Sequence, residues 1–227
     1  MNFRNRFAFS LIGSAIALVV ISPMASAQKD PPRIVTWNCS GCHGVDGNAQ
    51  LRHFPRLAAL DAAYIEQRLA AFQAAPEPPS AELLYWLVNP SAARKVVSSS
   101  TPEARANMVG IAHATNMQET KATAAWYSTQ KPVPGRSADP SLVESGKALF
   151  VNGLPAKGVS ACQDCHGARA QGQATAPRLG GQNSGYLVDQ LLRIRAGERA
   201  HPIDLTSSAT RLDREQIRAI AAFLASQ

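Results

Sequence analysis

Residues 39–43 read Cys39-Ser40-Gly41-Cys42-His43, and residues 162–166 read Cys162-Gln163-Asp164-Cys165-His166. The two runs use all four cysteines of the 227-residue chain, and a histidine follows each pair at once. Two thiols separated by two residues in a helical turn stand at the spacing of the two vinyl groups of a porphyrin. The next residue is then placed to reach the central iron from the same face, and a neutral imidazole there is a good ligand. Cys39, Cys42 and His43 are therefore expected to hold one covalent haem, and Cys162, Cys165 and His166 a second. Zinc would want four clustered ligands, and a thiol–disulfide redox pair has no use for the trailing histidine.

Outward from these runs the chain repeats itself. Pro55-Arg56-Leu57, Tyr64 and Leu69 follow the first run, and Pro177-Arg178-Leu179, Tyr186 and Leu191 follow the second at a constant offset. Ala124-Ala125-Trp126-Tyr127 matches Ala221-Ala222-Phe223-Leu224 near the ends. Each copy reads as cysteine run, proline loop, helix, variable loop and closing helix, with roughly 25 extra residues in the first copy. That insert, near 76–100, holds Pro76-Glu77-Pro78-Pro79 and Leu83-Leu84-Tyr85-Trp86-Leu87, which predict a proline-rich turn and a short apolar helix. Tyr64, Leu69 and Phe72 suggest one buried stripe; Leu187, Leu191 and Ile194 suggest a second at three- and four-residue steps. In the closing helix Leu212, Ile217, Ile220 and Phe223-Leu224 should face inward, with Asp213 as N-cap. Ser141 to Val151 predicts a helix ahead of the second run. Ile34-Val35-Thr36-Trp37 holds the matching place in the first copy, so its opening helix should be short or missing.

Composition bounds the rest. Hydrophobic residues make up 45% and charged residues 17%, enough for a packed core. Abundant alanine without β-branched runs favours an all-α fold. Residues 1–27 read as a signal peptide: Arg4 and Arg6, an uncharged apolar stretch from Phe7 to Ile21, and Ala25-Ser26-Ala27 as the cleavage site near Ala27. The stretch is shorter than the ~20 apolar residues a spanning helix needs. Gln130-Lys131-Pro132-Val133-Pro134-Gly135-Arg136-Ser137 lacks apolar periodicity and reads as a connection. The expected plan is then a leader at 1–27, a first domain at 28–130, a linker at 131–140 and a second domain at 141–227. Formal charge is +7, which favours acidic protein partners and at most peripheral contact with anionic lipid. The basic residues are scattered and form no nucleic-acid motif, so nucleic acid is not an expected partner.

With both Cys-x-x-Cys-His-Gly runs, both Pro-Arg-Leu runs, Gly181-Gln182, Tyr186, Gly197-Glu198-Arg199 and the closing helices in place, the mature chain resembles the dihaem cytochrome c4 family. The resemblance implies two tandem class I cytochrome c domains, each wrapped around one covalent haem, facing each other across an approximate two-fold axis. It also implies a periplasmic electron carrier with two haem c groups. In such domains the carbonyl of the proline after the haem run orients the axial histidine, a role that would fall to Pro55 and Pro177.

Class I cytochromes c close the iron with a methionine from the loop before the final helix. Met108 stands there in the first half; Met117 competes, but at the start of the final helix it should pack or face solvent. The second half contains no methionine, and Leu205 falls where Met108 stands. Leucine cannot bind iron, so either His201, four residues earlier, takes the sixth position or that position stays open. His53 and His113 read as structural or exposed.

Two functional readings follow. In the first, the protein relays single electrons from a dehydrogenase or quinol-oxidising complex to a terminal oxidase or reductase, as a free carrier or a subunit. In the second, an open second haem makes it a peroxidase-like enzyme or small-ligand sensor, with His201 or Asp204 beside the vacant face.

Overall fold

The computed structural model describes residues 30–76, 102–135, 139–173, 176–199 and 210–227, and these form helices joined by loops. A short π-helical turn, Val35–Cys39, runs directly into α1, Ser40–His43. There follow α2, Ala62–Gln73, α3, Pro102–His113, and α4, Met117–Thr129. The second half opens with a 3₁₀ turn, Pro140–Leu142, that leads into α5, Val143–Asn152. It continues with α6, Gln163–His166, α7, Ser184–Arg195, and α8, Arg214–Ala225. Among the described residues the extended pairings are two isolated bridges, Leu154 with Val159 and Gln173 with Ala176.

The closing helices start where their sequences direct. Asn116 caps α4 by accepting from the Glu119 N–H at 2.9 Å, and Glu119 accepts in return from the Asn116 N–H at 3.0 Å. Asp213 and Gln216 form the same reciprocal box at α8. Each box satisfies donors that the first helical turn otherwise leaves exposed. The opening segment of the first half is short, as the sequence predicts, yet helical from Arg33 through His43.

Two apolar cores form around these helices. α8 packs on α5 and α7, burying Phe150, Leu187, Ile217, Ile220, Phe223 and Leu224. The rings of Phe150 and Phe223 lie 5.4 Å apart. α2 packs on α3 and α4, and Val35, Leu60, Ile65, Ala124 and Tyr127 are buried there. The stripe expected on α2 is shifted. Ile65 is its buried residue, while Tyr64, Leu69 and Phe72 are half-buried; all four line a cavity, and Tyr64 and Leu69 also pack against the core. The leader and the insert helix fall outside the described residues.

A polar seam joins the halves. Asn183, the N-cap of α7, donates from Nδ2 to the carbonyls of Ala49, Leu51 and Phe54 at 3.0, 3.1 and 2.8 Å. The Tyr186 N–H donates to Arg52 O at 3.0 Å, and His53 Nδ1 meets Asp189 Oδ2 at 2.9 Å. The segment after α4 is stitched down as well. Asn48 donates to Lys131 O and accepts from the Val133 N–H, while Arg56 Nη1 donates to the carbonyls of Val133, Pro134 and Gly181. Truncating Asn183 leaves three seam carbonyls short of a donor. Asn183→Ala is expected to cost about 2 kcal/mol of stability, measured by urea denaturation. A loss below about 0.5 kcal/mol would show that water replaces the amide without penalty.

Candidate functional site

Each cysteine run folds as one helical turn that ends on its histidine. Gly44 and Gly167 follow at φ +79° in both cases, a conformation that glycine adopts without strain. It terminates the helix at once and sends the chain away from the ring. The chain then returns as a loop that brings a proline carbonyl to the imidazole: Pro55 O lies 3.0 Å from His43 Nδ1, and Pro177 O lies 2.8 Å from His166 Nδ1. A carbonyl only accepts, so Nδ1 carries the proton and Nε2 keeps its lone pair. Burial holds both imidazoles below the usual histidine range, against the opposing pull of the proline carbonyls. Burial therefore favours the neutral ring, the form that binds a metal. Phe54 packs edge-on against His43, with centroids 6.5 Å apart.

The thiols are equally telling. Burial, with Cys42 adding to it, pushes Cys39 up to about 11. Burial, with Asp164 and Cys165 adding to it, pushes Cys162 up to about 11. Cys42 is raised by burial too. At pH 7 roughly one such thiol in 10⁴ is ionised, whereas redox-active cysteine pairs have depressed values. All four cysteines are unpaired. Among the described residues no group of three or more His, Cys, Asp and Glu could hold a metal ion alone.

Both histidines and all four cysteines line a single cavity of about 370 Å³ that runs through both halves. Pro55, Pro177 and Met108 line it as well. Its walls are largely apolar: Leu57, Leu60, Ile65, Leu69 and Ile111 on one side, and Leu179, Leu187, Leu191, Ile220 and Leu224 on the other. Met108 sits within α3, where the sequence reading expected a loop. Pro102 at the first helical position is the signal for this helix, since the N–H that proline lacks would have no intrahelical acceptor there and its fixed φ suits a helix start. Met117 is 73% exposed at the start of α4, facing solvent. His201 and Leu205 lie outside the described residues. His53 and His113 bond to Asp189 and to the Ala75 carbonyl.

Sequence reasoning missed the polar part of the wall. Arg68, Arg105, Arg178, Arg193 and Arg199 line the cavity, and among the described residues no Asp or Glu does. Arg199, from the loop after α7, reaches across the seam and donates to Tyr64 Oη at 3.0 Å. Its Nε is buried without a hydrogen-bond partner. Burial opposes the charge on Arg199, but Tyr186 and Tyr64 outweigh it and raise the guanidinium. Burial lowers Arg68, and Arg199 beside it adds to the effect. Arginines set in a largely apolar lining suit a flat apolar ligand with acidic substituents.

The Cytochrome c family model matches residues 143–227. Cytochrome c4 of Azotobacter vinelandii is 32% identical over 191 residues, covering 82% of each chain. The thiosulfate dehydrogenase electron acceptor of Stutzerimonas stutzeri is 30% identical, covering 93% of this chain and 92% of that one. The crystal structure of reduced recombinant cytochrome c4 from Pseudomonas stutzeri superposes with a TM-score of 0.68. It is 29% identical and covers 83% of this chain and 92% of that one.

Proposed function

The chain belongs to the cytochrome c4 family of electron-transfer cytochromes, and from that premise we propose that it is an exported dihaem relay. It would take single electrons from a dehydrogenase and pass them to a terminal acceptor. The observation that carries the reading is the paired geometry of His43 with Pro55 and His166 with Pro177. Each imidazole has a proline carbonyl at its Nδ1 and stands beside two cysteine thiols in the wall of one largely apolar cavity.

In this reading Cys39 and Cys42 bind one haem c through thioethers, and Cys162 and Cys165 bind the other. His43 and His166 supply the axial nitrogens, and Met108 the sixth ligand of the first haem. Haem c supplies the one-electron iron couple. The chain would supply attachment, imidazole orientation, a largely apolar wall that excludes water, and arginines in that wall able to pair with acidic substituents. An apolar surround and a soft thioether both favour ferrous iron, which raises the potential. The relative named as a thiosulfate dehydrogenase electron acceptor supports a dehydrogenase as donor. The positive charge of this chain suits an acidic docking face on that partner. The leader read at residues 1–27 supports a periplasmic location, and no described helix is long and apolar enough to cross a membrane. The enzyme or sensor reading gains no support from the relatives, and its residues His201 and Asp204 lie outside the described ones.

The test is stoichiometry and redox behaviour of mature protein made in a host that attaches haem c. Two haems per chain, each reversibly reduced without turnover of peroxide, are expected; colourless protein would refute the reading. Within it, Met108→Ala should lower the potential of the first haem by a clear fraction of the ~0.8 V that axial ligation spans. Redox titration checks this, and an unchanged potential would remove Met108 from the iron.

A further inference from the structure

The peptide unit that orients His43 is itself held from the other half of the molecule. The carbonyl of Pro55 and the N–H of Arg56 belong to one planar amide. His43 Nδ1 lies 3.0 Å from that carbonyl, and the Arg56 N–H donates to Gln182 Oε1 at 2.7 Å. Gln182 Nε2 returns a bond to Arg56 O at 3.0 Å, and its Oε1 also accepts from the Asn183 N–H at 2.9 Å. With two donors on the oxygen and an acceptor facing the nitrogen, the orientation of this amide is fixed. Gln182 is 6% exposed, so water does not compete for it. On the other side of Pro55, Asn183 holds the Phe54 carbonyl at 2.8 Å.

The second copy of the repeat does this differently. Ala176, the residue before Pro177, is secured locally: its carbonyl accepts from the Gln173 N–H at 3.0 Å and its N–H donates to Gln173 O at 2.8 Å. Among the described residues the N–H of Arg178 has no acceptor from across the seam. The two histidine supports are therefore unequal, although the sequence around them repeats.

We infer that Gln182 is a positioning residue for the first haem, setting from the second half how strongly the Pro55 carbonyl draws on the His43 proton. This rests on the functional reading above. Hydrogen bonds in series polarise one another, so an acceptor on the Arg56 N–H makes the Pro55 oxygen more basic. A more basic oxygen shifts electron density onto the imidazole and favours ferric iron, which lowers the potential. Removing the acceptor works in the opposite sense.

The experiment compares Gln182→Met, which keeps the length but loses the acceptor, with Gln182→Glu, which keeps it. Redox titration of each holoprotein follows two waves. Met should raise one wave and leave the other unmoved, and Glu should leave that wave at or below its wild-type position. The wave that Met raises should be the one that Met108→Ala lowers. Both waves moving together, neither moving, or Glu and Met moving the same wave alike would overturn the inference. If Gln182→Met does not accumulate, Gln182→Ala, which also removes the acceptor, takes its place, with the same rise of one wave expected and an unmoved wave overturning the inference. Wild-type protein lacking two haems would defeat the functional reading instead.

Discussion

Gly146→Ala is expected to destabilise the second half by about 3 kcal/mol or more. Alanine in a helix interior ordinarily gains about 1 kcal/mol over glycine, so the sign itself is diagnostic. At Gly146 an added Cβ would sit 1.9 Å from Ala219 O, 2.5 Å from Ala219 C and 2.9 Å from Phe223 Cβ. The first two are backbone atoms of α8 and cannot rotate away, so α5 would have to withdraw from α8. That withdrawal would open the packing around Phe150, Ile217 and Phe223. Urea denaturation of the haem-loaded protein measures the loss. A midpoint at or above the wild-type value would show that the two helices cross elsewhere.

The second large effect is chemical. Replacing Cys162 and Cys165 together by serine should reduce bound haem from two per chain to one. Serine keeps the size of the residue and its place in the α6 turn, but its hydroxyl forms no thioether. His166 would keep its bond to the Pro177 carbonyl, so the loss isolates attachment from ligation. Haem determination on denatured protein is the measurement, because covalent haem stays with the chain and noncovalent haem leaves it. Two haems surviving denaturation would refute the assignment of these thiols.

How much of this was legible in the sequence depends on the range of the interaction. The cap at Asp213 and the buried face of α8 are local patterns, readable at three- and four-residue spacing. The cysteine runs are equally local, the proline loops show in the repeat, and the role of their carbonyls came through the family resemblance. The stripe on α2 was read in part, because periodicity marks an apolar face without saying whether it meets a core or a ligand. The seam was not legible. Gln182 meets Arg56, Asn183 meets Phe54, and Arg199 meets Tyr64 across more than a hundred residues, and nothing in the spacing of these polar side chains marks them as partners. The five cavity arginines looked like scattered surface charge because only the fold gathers them around one slot.

The segment at 131–135 has a consequence for kinetics. Asn48, Arg56 and the carbonyls they grip hold it as a splint rather than a tether. A tethered pair of redox centres must search for contact, and its internal transfer slows as the solvent thickens. In the proposed dihaem relay, centres held by a splint would keep one fixed gap, so tunnelling distance would govern the step and changing solvent viscosity should leave its rate unmoved.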